Sequence, residues 1–233
     1  MNDQDNQIIK KINNNQININ EISIDFIIES QDKLNWHEIS FSQILSEDFI
    51  EQFQDKVDWY WISLNQKLSE PFIEKFKNKI LWNYITYKQI LSKAFITKHK
   101  HKLNWKSISR QKTLSEDFIT EFQNKVFWLY ISKVQRLSEP FIEKFHNHVD
   151  WNWISFKQTL SEPFIEKFQH KVNWYYIAKC QKLSKSFIEK FQNRLDLNIM
   201  AWRQSLNEHF MSKLQNQMFI SGKEKYEQNI MKK

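Results

Sequence analysis

The chain has 233 residues, of which 41% are hydrophobic and 15% aromatic, so it is long and apolar enough to bury a core of one or two domains. It contains one Gly and three Pro, where an average chain has about 12% of the two together, and this excludes a glycine-rich phosphate loop and leaves little turn chemistry for a β-sheet. The formal net charge is +7, and the lone Cys180 excludes an intramolecular disulfide and is typical of a reducing compartment.

The first segment, residues 1–21, is polar and rich in Asn and Gln, and we expect it to be a flexible tail. It has no apolar run of signal-peptide length. No part of the chain approaches the ~18 consecutive apolar residues of a membrane span. These features predict a soluble intracellular protein with no membrane partner.

From residue 22 to about residue 218 the sequence repeats with a period of 23 residues and no gap. The motif LSEDFIEQF and six close copies run in phase with a column of tryptophans. An isoleucine follows each tryptophan by three residues, and Met200 takes its place in the eighth repeat. Such a period is typical of a repeat array. The tryptophan column consists of Trp36, Trp59, Trp82, Trp105, Trp128, Trp151 and Trp174, with Leu197 in the eighth place.

Each repeat predicts two helices, which we name helix A and helix B. Helix A, of about 11 residues, begins after an N-cap serine such as Ser46 and has acidic residues in its first turn, which match the helix dipole. Its apolar residues, for example Phe49, Ile50 and Phe53, recur at helical rather than strand spacing. Helix B, of about eight residues, begins after a cap such as Asp58.

These elements predict an all-α fold, an α-hairpin solenoid of about eight 23-residue two-helix repeats over residues 22–220 with degenerate capping repeats at both ends. Helix pairs this short can bury their apolar faces only against neighbouring pairs. Residues 221–233 are expected to form a charged C-terminal tail.

The run LSEPFIEKF, followed by VDW, WIS and Gln at fixed offsets, resembles short tandem repeats in uncharacterised proteins of giant amoeba-infecting DNA viruses and large phages. The resemblance covers residues 22–218. It brings no established activity and therefore assigns no functional residue. It implies a viral protein that acts in the cytoplasm of the host cell.

Two columns of side chains are predicted to hold the stack together. The constant tryptophan–isoleucine spacing favours core packing of the tryptophans over a ligand-stacking ladder. A glutamine column lies on the same stripe and predicts a hydrogen-bond ladder between B helices or to loop backbone, because a half-buried amide needs partners. The glutamines are Gln43, Gln66, Gln89, Gln135, Gln158, Gln181 and Gln204.

The sequence offers no catalytic, cofactor or metal site. His99 and His101, like His146 and His148, lie two residues apart, which on a helix directs them to different faces, and no Cys or carboxylate completes a zinc ligand set. Cys180 has no fixed base partner, and no Ser/His/Asp constellation or carboxylate pair stands outside the repeat pattern. We therefore expect a non-enzyme without a small-molecule substrate.

The repeats differ mainly on helix B, at the first and second residues after the tryptophan, whereas the outward positions of helix A are monotonous. A solenoid that selects a partner needs such variety, and large exposed aromatic rings favour binding. Neutral drift and aromatic packing between adjacent B helices are the alternatives. The candidate partner-binding aromatics are Tyr60, Trp61, Tyr84, Tyr130, Trp153, Tyr175 and Tyr176.

Charge is also uneven along the chain. Eleven basic residues and no acidic residue lie between Glu74 and Glu116, so the rest of the chain carries a net charge of −4. Basic residues among aromatics suit a nucleic-acid backbone with stacked bases or an acidic protein surface, although such a run is most often a solvated face. The candidate anion patch within residues 75–112 comprises Lys88, Lys93, Lys98, Lys100, Lys102, Lys106, Arg110 and Lys112.

We expect a non-catalytic scaffold that presents the variable positions of helix B to another protein. The alternatives are a solenoid that binds single-stranded RNA or DNA through the basic patch, and a purely structural spacer. Within that patch His99 stands where other repeats have phenylalanine, which predicts a weak point in the stack.

Overall fold

The computed structural model of the chain describes residues 3–111, 114–196 and 198–200, together with residues 210, 212, 213 and 216. Every regular element in these residues is helical, and the helices form the α-hairpin solenoid of 23-residue repeats that the period predicts. The chain divides into two compact units, Met1–Ile108 and Ser109–Lys233, and both are built from the same repeat.

After the N-terminal helix α1, even-numbered helices are helix A of a repeat and odd-numbered helices are helix B. One short 3₁₀ turn, Ile19–Glu21, precedes the first repeat, and a second, Gln31–Lys33, lies within it. The α-helices are α1 (Asp3–Asn13), α2 (Ile24–Ser30), α3 (Trp36–Ser42), α4 (Glu47–Gln52), α5 (Trp59–Asn65), α6 (Glu70–Lys75), α7 (Trp82–Lys88), α8 (Lys93–His99), α9 (Trp105–Ser109), α10 (Glu116–Glu121), α11 (Trp128–Val134), α12 (Glu139–Lys144), α13 (Trp151–Lys157), α14 (Glu162–Lys167), α15 (Trp174–Cys180) and α16 (Lys185–Phe191).

The predicted caps are confirmed, but helix A is shorter than predicted, with six or seven residues instead of about 11. Ser46 Oγ accepts a hydrogen bond from Phe49 N at 3.2 Å, and Asp58 Oδ1 accepts one from Tyr60 N at 2.9 Å. At the end of α4, Phe53 leaves the α region with φ −106° and ψ 31°. The backbone then closes a tight turn before the cap of α5, so the last part of the predicted helix is a turn.

The tryptophans pack at the edge of the core, where Trp36 is buried and the other six of the column are half-buried. The Trp59 ring lies 5.1 Å from the Phe76 ring and 6.4 Å from the Phe72 ring of the next repeat, measured between centroids. Its Nε1–H donates to Gln54 O at 2.9 Å, and therefore caps a carbonyl group at the end of the preceding helix A. The isoleucine three residues later, Ile62, is fully buried.

The glutamine ladder is confirmed as well. The side chain of Gln66 reaches back into the preceding repeat, where Nε2 donates to Gln43 O at 2.7 Å and to Ser40 O at 3.3 Å, and Oε1 accepts from Leu45 N at 3.0 Å. Gln181 makes the same three bonds, and Gln43, Gln135 and Gln158 each bind two backbone groups of the preceding loop. Gln204 lies outside the described residues.

A second ladder, made by the hydroxyl group four residues after each tryptophan, was not predicted. Ser63 Oγ accepts from Leu81 N at 2.9 Å and donates to Trp59 O at 2.7 Å. Each such hydroxyl group therefore holds the N-cap residue of the next helix B. The members that accept in this way are Ser40, Ser63, Thr86, Ser109, Ser132 and Ser155.

This hydroxyl ladder is interrupted at Ala178, which has no hydroxyl group and is fully buried. By the spacing of 18 residues in the other repeats, its partner would be the N–H of Asp196. We expect Ala178→Ser to raise the free energy of unfolding by about 0.5–1.5 kcal/mol, because the new hydroxyl gives the Asp196 N–H an acceptor. Urea unfolding followed by tryptophan fluorescence measures the change. The matched control is Ser155→Ala, which removes the bond to Asn173 N at 2.9 Å and should lose a similar amount. Unchanged stability of both variants would contradict this role of the hydroxyl.

A third link joins successive A helices. Glu70 Oε1 accepts from Ser92 N at 2.5 Å and its Oε2 accepts from Ser92 Oγ at 2.8 Å. The first-turn glutamates thus do more than match the helix dipole, because they also bind the N-cap serine of the next repeat. The same pair of bonds joins Glu47 to Ser69, Glu116 to Ser138, Glu139 to Ser161 and Glu162 to Ser184.

Residues 3–21 are not the flexible tail expected from their composition. They form α1 and a 3₁₀ turn, and they supply the contacts that a preceding repeat would give. Asn13 Oδ1 accepts from Asn35 N at 2.7 Å, in the role of the serine hydroxyl. Ile19 is fully buried, and its N–H donates to Gln43 Oε1 at 2.6 Å. The segment is therefore an N-terminal cap of the array.

The predicted C-terminal tail, residues 221–233, lies outside the described residues. In the part of the chain that is described, no helix is long and apolar enough to span a lipid bilayer.

Candidate partner-binding surfaces

All seven predicted aromatics lie on B helices, and none is buried. Tyr60 and Tyr175 are the most open, with 39% and 49% of their surface exposed. The other five are half-buried, namely Trp61, Tyr84, Tyr130, Trp153 and Tyr176.

Four of the five half-buried rings follow one packing rule. The residue five positions after the tryptophan of one repeat lies over the ring two positions after the tryptophan of the next. Phe41 packs on Trp61 with centroids 4.4 Å apart, and Phe156 on Tyr176 at 5.2 Å. Cations take the same place over Tyr130 and Trp153, where Arg110 Cζ and Lys133 Nζ lie 4.6 Å and 4.5 Å from the ring centroids. Packing between repeats and partial exposure therefore occur at the same rings.

In the first unit these rings form a continuous strip over α3, α5 and α7. Tyr60 lies 4.7 Å from Trp61 and 4.9 Å from Tyr84 between ring centroids. The hydrogen bond with Tyr84 raises the pKa of Tyr60 above its ordinary value. Trp61 Nε1 donates to His37 Nε2 at 3.3 Å. The strip thus offers rigid rings with polar edges, a common composition of protein-binding surfaces.

The residues of the predicted basic patch stand at several different positions of the repeat. Lys98 lies on α8 and pairs with Glu74 at 3.2 Å, and Lys102 Nζ lies over the Trp82 ring at 5.1 Å. Lys93 and Lys106 stand in the first turns of α8 and α9, Lys88 ends α7, and Lys100 follows α8. Arg110 belongs to the second unit, where it covers Tyr130, and Lys112 lies outside the described residues.

The charges of the A helices are paired between repeats. A lysine near the end of one A helix or in its following turn binds an acidic side chain 24 residues earlier, as Lys167 binds Glu143 at 2.5 Å. Exposed pairs of this kind each stabilise the fold by at most about 1 kcal/mol. The other pairs are Lys56–Asp32, Lys75–Glu51, Lys79–Asp55, Lys98–Glu74, Lys190–Glu166 and Lys213–Glu189.

Glu74 is the most strongly perturbed of these acids. Hydrogen bonds from Lys98, and then from His99 and Lys77, lower its pKa to about 2, against a partial loss of hydration that acts in the opposite direction. His99 Nε2 lies 2.6 Å from Glu74 Oε2, and the His99 ring packs 4.8 Å from Trp82 and 4.5 Å from Phe95. The histidine therefore fills the place of the usual phenylalanine and adds a polar contact, and its predicted weakness stays a prediction.

Each unit has a groove at the carboxyl-terminal ends of its B helices, where the chain turns into the next A helix. In the first unit it has a volume of about 550 Å³ and is lined by residues 41–44, 64–68 and 88–90. In the second unit a groove of about 540 Å³ occupies the same place in the repeat and is lined by Leu114, Lys133, Val134, Gln135, Arg136 and Lys157. Neither lining contains an acidic residue.

The sequence carried a signal for this edge that was missed. Positions five, six and eight after the tryptophan, or after Leu197, contain nine basic residues and no acidic residue over the eight repeats. Position eight holds Lys67, Arg136, Thr159 and Lys182 among others, but Ile44 and Ile90 in the first unit. An apolar residue at a loop position that is polar in other repeats can be recognised from the sequence alone, and it indicates an exposed apolar side chain.

The described residues contain no group of three or more His, Cys, Asp or Glu side chains that could hold a metal ion. Cys180 is exposed at the end of α15. His148 contacts the Trp128 ring at 5.2 Å, and His146 Nδ1 lies 3.0 Å from Lys171 Nζ, so both are engaged in packing contacts.

No family model, no curated protein and no solved structure matches the chain.

Proposed function

We propose that the chain is a non-catalytic scaffold that binds a partner protein through the outward positions of its B helices. The observation that supports this is the contrast between the two kinds of helix. The A helices present the same charges in most repeats, and many of these charges are paired between neighbouring A helices. The B helices present rings that differ from repeat to repeat and keep part of their surface exposed.

The proposal agrees with what is known of protein interfaces. Their binding energy is concentrated in a few aromatic and arginine side chains that are rigidly held and surrounded by other contacts. The strip over α3, α5 and α7 meets this description, because its rings are braced by their neighbours before any partner arrives. Little side-chain entropy remains to be lost on binding.

The test is affinity capture from the cells that produce the protein, with a B-face variant compared with an A-face variant. Asparagine is the natural residue at the B-face position in three other repeats, so its introduction leaves the fold intact. We expect the B-face variant to lose about tenfold or more of the captured partner protein and the A-face variant to retain it. The B-face variant is Tyr60→Asn, Leu129→Asn and Tyr175→Asn, and the A-face control is Gln52→Asn, Asp117→Asn and Lys144→Asn.

Nuclease treatment separates the protein partner from the nucleic-acid alternative. A partner protein that stays bound after nuclease treatment supports the proposal. If nuclease abolishes the capture, and if capture at ~50 mM salt is lost at ~200 mM salt, the binding depends on phosphate contacts instead. Equal capture by the two variants would show that the B face is not the binding surface.

A further inference from the structure

The groove of the first unit exposes apolar side chains that the fold does not use. Ile44 and Ile90 are 83% and 91% exposed, more than any other large hydrophobic side chain among the described residues. Phe41, which lines the same groove, is 45% exposed. The loop position of the two isoleucines holds lysine, threonine or arginine in other described repeats, so an apolar residue there is no requirement of the repeat. We call this surface the Ile44–Ile90 groove.

The floor of the Ile44–Ile90 groove is held in place before any ligand binds. Gln66 Nε2 donates to Gln43 O at 2.7 Å, and Gln89 Nε2 donates to Gln66 O at 2.7 Å. These buried bonds lock three successive loops in register. Asn65 Nδ2 also donates to Phe41 O at 2.8 Å. A ligand that enters the groove therefore meets a preformed surface and loses little affinity to reorganisation.

The charge of the groove has one sign. Lys67 and Lys88 line it, and neither has an acidic partner among the described residues. Lys88 Nζ lies 5.7 Å from the Tyr87 ring, so its ammonium group stays at the rim. The groove therefore combines apolar side chains with two cations, and its complement is a ligand that combines apolar groups with negative charge.

A peptide matches this combination better than a nucleic acid does. The isoleucines cannot stack on bases, and the Phe41 ring is already packed on Trp61. Two lysines give little counterion release compared with the six to ten phosphate contacts of a typical nucleic-acid complex.

We infer that the Ile44–Ile90 groove binds a short linear segment of a partner protein in which apolar residues stand beside Asp or Glu. The apolar residues cover Ile44, Ile90 and Phe41, and the carboxylates pair with Lys67 and Lys88. The inference rests on the proposed function and adds to it the chemistry of the partner and a second contact surface beside the aromatic strip.

The test uses selection of short peptides from a random phage-displayed library on the full chain. The same selection is made on a variant that carries Ile44→Thr, Ile90→Thr, Lys67→Glu and Lys88→Glu, whose fold is checked by circular dichroism and thermal unfolding. We expect a motif of apolar and acidic residues to be enriched on the wild-type chain alone. Enrichment of the same motif on both proteins, or of no such motif on the wild type, would overturn the inference.

A synthetic peptide with the selected motif then gives affinities by fluorescence anisotropy. Lys67→Glu with Lys88→Glu should weaken binding at least about tenfold, because both cations that face the peptide become repulsive. The matched control is Lys157→Glu with Lys182→Glu, since these lysines hold the same repeat positions in the second unit. An equal loss in the control would show general charge attraction and not a site, and would overturn the inference.

A single-stranded oligonucleotide is measured with the same proteins. Binding of the oligonucleotide, but not of the peptide, that is lost with Lys67→Glu and Lys88→Glu would make the groove a nucleic-acid site and overturn the inference. Failure here is distinguishable from failure of the proposed function, because the capture experiment depends on other residues. If the B-face variant loses the partner and no peptide binds the groove, the scaffold proposal stands and only the inference about the groove is overturned.

Discussion

Replacement of Gln66 by leucine should lower the free energy of unfolding of the chain by about 2–4 kcal/mol. The side chain is almost fully buried and makes three hydrogen bonds to backbone groups of the preceding repeat. Leucine fills the same space but leaves the N–H of Leu45 and the carbonyl groups of Ser40 and Gln43 without these partners. Each buried polar group left unsatisfied costs about 1–3 kcal/mol, and the loop can relax to recover part of that.

Urea unfolding followed by tryptophan fluorescence measures the loss, and two variants sharpen it. Gln66→Lys keeps a donor for the two carbonyl groups but cannot accept from Leu45 N, so we expect an intermediate loss; lysine is also the natural residue at this repeat position at Lys112. Gln52→Leu changes an exposed glutamine on α4 and should alter stability by less than about 0.5 kcal/mol. If the leucine variant were as stable as the wild type, the hydrogen bonds of the glutamine ladder would not contribute to the stability of the fold.

The period alone was enough to predict much of the fold. The helix caps and the buried faces depend on residues within one repeat. The tryptophan and glutamine columns depend on residues that occupy the same position in every repeat. Ser46, Trp59 and Gln66 could be assigned because their chemistry allows few alternatives: a cap, a large core ring and a buried amide in need of partners.

The serine, glutamate and lysine links between repeats could not be predicted, because they depend on how far one repeat is shifted along the next. Ser63 meets Leu81, 18 residues on, Glu70 meets Ser92, 22 residues on, and Lys167 meets Glu143, 24 residues back. A linear period of 23 does not distinguish these offsets. The same reason applies to Lys98 in the basic patch. The sequence shows its positive charge, but only the structure shows that it pairs with Glu74 of the preceding repeat.

The N-terminal cap was missed for a different reason. Composition dominated the interpretation of residues 1–21, whereas the short motif QIIKKI within it places Ile9 and Ile12 on one helical face. Both are buried. The first repeat needs a neighbour to cover it, and a polar segment with a few well-placed isoleucines is sufficient for that.

The second large effect is expected for the isoleucine column. Ile85→Ala should lower the free energy of unfolding by about 2–5 kcal/mol and Ile85→Val by about 0.5–1.5 kcal/mol, because the side chain is fully buried in α7 and its removal leaves a cavity. In a repeat array each unit is stabilised mainly by its neighbours, so the loss weakens both interfaces of the α7 repeat. Chemical unfolding of the full chain measures it, and a loss below about 1 kcal/mol for Ile85→Ala would contradict the described packing.

Ile90, five residues later, is the matched control and links stability to function. It is the same residue type in the same repeat, but 91% of its surface is exposed, so Ile90→Ala should change stability by less than about 0.5 kcal/mol. A large loss would give Ile90 a role in folding and remove the reason to assign it to a ligand. A negligible loss, together with weaker binding of the apolar and acidic peptide, would separate the two isoleucines by role: Ile85 holds the repeats together, and Ile90 binds the partner.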